Sequence, residues 1–189
     1  MYTNIDYAHL REVLCVERNE EGLKKRQKMF SDFDPNGNGF LSLAEVDKGI
    51  RDVLRLPEIF ALKRVIMRAF QAAKDSTKNK HKNSSDYIER NEFRYFLCYL
   101  RQYFEYYEMF DLINTDDDKY IDFDEFVASL KKLETWGIKV TDPEKTFNQI
   151  DIDKGGRIRF DEFCEWAIKC NLDIDTDDDF EDSCLSNLK

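Results

Sequence analysis

Apolar residues recur along this chain at helical spacing, and short polar clusters break the pattern at intervals. Leu23, Met29, Phe30 and Phe33 fall largely on one helical face. Val46, Ile50, Val53 and Leu54 repeat the spacing until Pro57, which has no N–H to give a helix, interrupts it. A second helix is predicted after Pro57, carrying Ile59, Phe60, Leu62, Val65, Ile66 and Phe70. Residues 90–113 hold no Gly or Pro and carry nine aromatics from Phe93 to Phe110, which predicts one long, largely buried helix. Further on, Trp136-Gly137 ends a helix, and Thr141 and Glu144 are spaced as a capping box for the next. The last helix runs to about Cys170 and uses Phe163, Trp166 and Ala167. Nearly everything outside the polar clusters reads as helix.

The clusters repeat. Phe33-Asp34-Pro35-Asn36-Gly37-Asn38-Gly39-Phe40-Leu41-Ser42-Leu43-Ala44-Glu45 sets the pattern: an aromatic, Asp or Asn at alternate positions, an apolar residue, then Glu. It returns over residues 114–126 and 151–163, and a fainter ending, Tyr87-Ile88-Glu89-Arg90-Asn91-Glu92-Phe93, lies between the first two copies. A hard divalent cation such as calcium takes six to eight oxygens. A twelve-residue loop supplies them from side chains at positions 1, 3, 5 and 9, a carbonyl at 7 and a bidentate Glu at 12. Position 6 takes glycine for the sharp turn, and the apolar residue at 8 pairs with a partner loop. Three copies at matched offsets identify EF-hand loops, and four units imply two pairs.

In the first loop Asp34, Asn36 and Asn38 take positions 1, 3 and 5 and Gly39 takes 6. Phe40 offers its carbonyl, Ser42 and Glu45 close the shell, and the last two also form a capping box. The last loop offers Asp151, Asp153, the Arg157 carbonyl and Glu162. Gly155 at position 5 calls for a water, and Arg159 at 9 puts a cation beside the site. The third loop is the most acidic, with Asn114, Asp116, Asp118, the Tyr120 carbonyl, Asp122 and Glu125. Its position 1 is neutral, and Lys119 stands at position 6, where positive φ costs a side-chain-bearing residue about 1–2 kcal/mol. The second unit has lost its ligands: His81 and Asn83 stand at 1 and 3 and Asp86 at 6, after a Lys-, Asn- and Ser-rich insertion over 74–86 that reads as a solvated stretch.

Composition bounds these readings. The 189 residues include 42% hydrophobic positions and 26 aromatics, enough for a real core despite 36% charged residues. The formal charge of −10 is uneven: residues 1–95 hold 18 Lys and Arg against 15 Asp and Glu (+3), and residues 96–189 hold 11 against 24 (−13). The acid therefore concentrates where the third and fourth loops are, and it argues against nucleic acid as a partner. No apolar run approaches the ~20 residues of a membrane span. The N-terminus has no secretory pattern, and Tyr2 stands where an N-myristoylation site needs glycine. Five cysteines without a C-x-x-C pair, two of them (Cys98 and Cys164) in apolar helical patterns, read as reduced thiols of a cytoplasmic protein. His9 and His81 are isolated and no nucleophile–base arrangement is visible, so no enzyme is expected.

The chain further resembles the calflagins, flagellar calcium-binding proteins of trypanosomatids, over most of residues 22–172. The likeness rests on Arg94-Tyr95-Phe96-Leu97-Cys98-Tyr99 and the aromatic helix after it, on residues 132–140 from Lys132 through Trp136 to Val140, and on Phe160-Asp161-Glu162-Phe163-Cys164-Glu165-Trp166-Ala167. It implies a compact four-EF-hand, sensor-like protein that binds calcium mainly in its second pair and is associated with a flagellum or cilium. Two departures stand out: the acylated Gly-Cys segment at the family's N-terminus has no counterpart here, and the first loop is better equipped than the family's. The expected class is all-α, four EF-hand units in two compact pairs joined by a long aromatic helix. The expected divisions are an N-terminal extension (1–21), pair 1 (22–102), pair 2 (103–172) and an acidic tail (173–189). Leu10, Val13 and Leu14 in the extension read as a short helix docking a partner or covering the core. The expected function is calcium-dependent regulation of a protein partner, cytoskeletal or axonemal; the alternative is a structural axonemal subunit that uses degenerate EF-hands as a scaffold.

Overall fold

The computed structural model describes residues 7–74, 76 and 86–170. The acidic tail and all but Lys74, Ser76 and Asp86 of the insertion, with His81 and Asn83, lie outside them. The described chain forms two units, one ending at Tyr103 and the other beginning at Phe104. Ten α-helices carry it: α1 (Tyr7–Leu14), α2 (Glu20–Phe33), α3 (Leu43–Gly49), α4 (Pro57–Ala61), α5 (Lys63–Lys74), α6 (Phe93–Ile113), α7 (Phe123–Ala128), α8 (Leu130–Thr135), α9 (Pro143–Ile150) and α10 (Phe160–Lys169). Four two-residue strands punctuate them: β1 (Phe40–Leu41), β2 (Ile88–Glu89), β3 (Tyr120–Ile121) and β4 (Ile158–Arg159).

In the first unit α2 starts at Asn19, whose side chain accepts the Gly22 N–H at 2.7 Å, with Glu20 and Glu21 at the positive end of the helix dipole. It ends at Asp34, so the helix delivers the first residue of the first loop. Phe30 and Phe33 meet Phe93 of α6 edge-on at 5.3 and 5.4 Å, which joins the entering helix of one hand to the exiting helix of the other. Leu23, expected on the same apolar face, is 48% exposed. The strands β1 and β2 pair antiparallel, placing Leu41 opposite Ile88, both fully buried. Between Tyr7 and Leu14 the N-terminal extension is helical, and Leu10 and Leu14 are buried, so its apolar side covers core. Arg26 and Arg94 fasten the turn behind it: Arg26 Nη1 donates to the carbonyls of Cys15 (2.7 Å) and Glu17 (2.6 Å), and Arg94 Nε donates to that of Val16 (2.7 Å).

Two helices break where no glycine or proline demands it. The helix predicted after Pro57 divides at Leu62, whose N–H bonds to the Ile59 carbonyl at 2.9 Å and closes the first turn early. That break brings Lys63 3.3 Å from the Phe60 ring centre and into an ion pair with Asp47 of α3. Likewise α7 stops at Ser129, which is buried and donates its hydroxyl to the Phe126 carbonyl at 2.7 Å, a back-bond that competes with helix continuation. Ahead of α9 the cap is Asp142 rather than Thr141: its side chain accepts the Lys145 N–H at 3.0 Å. Pro143 takes the first helical position, where its missing N–H costs nothing, and this fixes the residue before it as the cap.

The predicted aromatic helix is α6, and none of its 21 residues is exposed. In the second unit Phe110 meets Phe160 and Phe163 at 5.6 and 5.7 Å, and Phe126 meets Phe147 and Trp166 at 5.8 and 6.3 Å. Ile121 of β3 lies opposite Ile158 of β4, both fully buried. Glu108 sits in this largely apolar helix, and burial followed by the neighbouring Asp111 pushes its carboxyl above the usual glutamate range. A carboxyl raised on folding favours the fold at low pH and opposes it once pH climbs through the raised value. Glu108→Gln is therefore expected to raise the melting temperature at pH 7.5 and leave it nearly unchanged at pH 4. Thermal melts at the two pH values check this.

Candidate metal centre

The first, third and fourth loops each begin at the C-terminal end of a helix, cross a two-residue strand and end in the first turn of the next helix. Asp34, Asn114 and Asp151, at position 1, are all buried, with 5%, 6% and 3% of their surface exposed. In the first loop the Asp34 carboxylate accepts the N–H of Asn38 (3.2 Å) and Gly39 (2.9 Å). In the fourth, Asp151 accepts those of Gly155 (3.0 Å) and Gly156 (2.9 Å) in the same way. Bonds from positions 5 and 6 back to position 1 curl the backbone around its own carboxylate.

Two positions per loop need left-handed backbone. Position 6 was expected: Gly39, Lys119 and Gly156 have φ of +82°, +70° and +77°. Position 4 was not, yet Gly37, Asp117 and Lys154 have φ of +69°, +59° and +58°. The third loop thus holds both of these positions, Asp117 and Lys119, in a region that disfavours side chains, at about 1–2 kcal/mol each.

The glutamate at position 12 ties the two ends of each loop. Glu45 accepts from the Ser42 N–H (2.9 Å) and hydroxyl (2.7 Å), while Ser42 Oγ accepts the Glu45 N–H (3.3 Å), which is the expected capping box. Its other oxygen takes the Asn36 amide, so Asn36 and Glu45 are brought together. Glu125 accepts from the Thr115 N–H (2.6 Å) and the Asp122 N–H (3.1 Å). Glu162 accepts from the Ile152 N–H and the Arg159 N–H, both at 2.9 Å. In the degenerate second unit Glu92 keeps the contact near the loop's end, accepting the Glu89 N–H at 2.9 Å from full burial.

The loops differ in how their oxygens converge. Asp151, Asp153 and Glu162 each present a carboxylate oxygen within 4.8 Å of the others, the one such group of three acids among the described residues. The first loop has only two carboxylates, Asp34 and Glu45, and its remaining oxygens are amide, carbonyl and hydroxyl: Asn36, Asn38, the Phe40 carbonyl and Ser42. The third loop's Asp116, Asp118, Asp122 and Glu125 do not gather into such a group. Its Asn114 Oδ1 is buried without a hydrogen-bond partner, where the aspartates of the other two loops accept two N–H groups. A buried amide oxygen left unpaired costs about 1–3 kcal/mol, and a hard cation would satisfy it. The donor set in all three loops, oxygen throughout, fits such a cation.

Two arginines lie among these oxygens. Arg159 Nη2 is 2.8 Å from Asp153 Oδ2 and its Nε is 3.5 Å from Glu162 Oε2. Asp153 first and then Glu162 hold its guanidinium above its usual range. Arg157 reaches across to the third loop, its Nη1 2.9 Å from Asp118 Oδ2 and its guanidinium 5.8 Å from the Tyr120 ring centre. The first contact follows from loop position 9. The second depends on the β3–β4 register, in which Tyr120 faces Arg159, and no local spacing in the sequence reports it.

The chain is similar to known proteins over most of its length. Residues 10–100 match the FCaBP EF-hand domain family, and residues 103–168 match the EF-hand domain pair family. The chain is 37% identical to a flagellar calcium-binding protein of Trypanosoma cruzi over 175 residues, covering 92% of this chain and 83% of that protein. It is 35% identical to the flagellar calcium-binding protein TB-24 of Trypanosoma brucei brucei over 181 residues, covering 95% of this chain and 83% of that protein. Among solved structures, calcium-loaded apo-aequorin from Aequorea victoria is 24% identical with a TM-score of 0.33, covering 82% of this chain and 93% of that one.

Proposed function

Because the chain belongs to the flagellar calcium-binding protein family, we propose that it is a non-enzymatic calcium sensor of the cytoplasm and flagellum that regulates a protein partner, cytoskeletal or axonemal. It is a calcium-binding EF-hand protein. The observation that carries the reading is the convergence of Asp151, Asp153 and Glu162 at positions 1, 3 and 12 of a loop whose backbone is already curled. Asp34, Asn36, Asn38, the Phe40 carbonyl, Ser42 and Glu45 would serve the first loop. The Arg157 carbonyl completes the set in the fourth. Asn114, Asp116, Asp118, the Tyr120 carbonyl, Asp122 and Glu125 would serve the third, where the unpaired Asn114 oxygen supports a cation.

Charge neutralised in the loops reorients the helices they join and changes which apolar surface a partner meets. Trp166 touches Phe126 and Phe163, helix residues that follow the third and fourth loops, so its fluorescence should follow uptake. Calorimetric titration with calcium is expected to show saturable binding. No heat at millimolar free calcium would refute the reading, and a partner retained equally well in chelator would select the scaffold instead. Asn114→Asp is expected to tighten uptake at the third loop about tenfold, because it adds one ligand charge and the acceptor oxygens that Asp34 and Asp151 provide. Backbone resonances of Lys119 during the same titration check that prediction.

A further inference from the structure

The two arginines of the β4 segment do opposite work to the carboxylates they touch. We infer that Arg159, with Arg157 beside it, is a tethered cation that holds the third and fourth loops assembled without metal and sets a threshold calcium must overcome. This rests on the reading that the loops take up calcium. Arg159 places its guanidinium between Asp153 and Glu162, two of the three converging acids, at 2.8 and 3.5 Å. A guanidinium carries five donors and no acceptor, so it can stand in for part of a cation's charge but cannot become a ligand. It also stays charged at any physiological pH, so loss of a proton does not release it.

The backbone fixes this arrangement. The Arg159 N–H is bonded to Glu162 at 2.9 Å, and the residue is pinned opposite Tyr120 in the β3–β4 pair. Only its side chain can leave, and that side chain is 47% exposed, so solvent is open to it. Arg157, 57% exposed, holds Asp118 of the third loop at 2.9 Å by the same chemistry. Lys154, the remaining cation of the fourth loop, is turned away and bonds to the Asn148 carbonyl. One short strand segment therefore carries a cation for each loop. Calcium can use these carboxylates only once the arginines surrender them: Asp153 and Glu162 from Arg159 in the fourth loop, Asp118 from Arg157 in the third.

Arg159→Ser removes the cation and puts at position 9 the hydroxyl that Ser42 supplies in the first loop. Calcium affinity at the fourth loop is expected to rise about tenfold, as expected for losing charge-assisted contacts to two carboxylates. The melting temperature in chelator should fall at the same time. Arg159→Lys, which keeps the charge, should stay near wild type in both. Arg159→Gln keeps the stem and gives the same answer if the serine variant does not fold. The measurement is a calcium titration read at the Gly156 amide, which donates to Asp151 in the fourth loop, together with a metal-free thermal melt. Serine and glutamine variants that bind no tighter than wild type, or melt no lower in chelator, overturn the latch. A wild-type chain whose Gly156 amide ignores millimolar calcium overturns the underlying reading instead.

Discussion

Glu45→Gln and Glu162→Gln together are expected to weaken calcium uptake by the first and fourth loops by about a hundredfold. Ligand charge count tunes EF-hand affinity over several decades, and position 12 contributes both of its oxygens. Glutamine removes one oxygen and the charge. It also unties the loop: Glu162 joins the Ile152 N–H at the start to the Arg159 N–H near the end, and one amide oxygen cannot do both. Glu45 joins Asn36 to Ser42 in the same manner. Each single variant should silence one loop only, seen at Gly39 for the first and Gly156 for the fourth, since these amides donate to the position-1 aspartates. Glu125 is untouched, so whatever the third loop binds should survive. A calorimetric isotherm of the double variant that overlays the wild type would defeat the ligand assignment.

How much of this was legible beforehand depends on whether the cause was local. The register of the paired strands was, because an apolar residue four places before each closing glutamate must meet its equal. Leu41 faces Ile88 and Ile121 faces Ile158, even though the second loop has lost its ligands. The Ser42–Glu45 cap and the cation at Arg159 were legible for the same reason. The breaks at Leu62 and Ser129 were not. Leucine is a good helix former, and its break goes with contacts that local spacing does not report, Lys63 on the Phe60 ring and paired with Asp47 of α3. Left-handed backbone at position 4 had only Gly37 to announce it, since Asp117 and Lys154 adopt it without glycine. The unpaired Asn114 oxygen needed coordinates, because neutrality at position 1 is visible in sequence but an unused acceptor is not.

Gly49→Ala is expected to cost the first unit about 3 kcal/mol, and the reason lies in how two helices hold the first loop. Gly49 is in ordinary helical conformation at φ −62°, so conformational freedom is not why glycine stands there. By helix propensity alone, alanine would gain about 1 kcal/mol. A methyl at Gly49 would lie 2.3 Å from the Phe33 ring, far inside van der Waals contact. Phe33 has little room to yield: it is 1% exposed and packed edge-on against Phe93. Overpacking of this kind costs more than propensity returns, so the net sign is destabilising. The contact also has a functional side. Phe33 immediately precedes Asp34, and Gly49 follows Glu45 by one helical turn, so this approach sets the distance between the first and last ligands of the loop. Chemical denaturation in chelator should show the loss. Phe33→Leu combined with Gly49→Ala should return part of it, since the two residues share one contact and their effects cannot add. Calcium should protect the variant less than the wild type, because a splayed helix pair holds Asp34 and Glu45 too far apart. A Gly49→Ala protein as stable as the wild type would mean that α2 and α3 can separate freely, and that the Phe33–Gly49 approach does not set the spacing of Asp34 and Glu45.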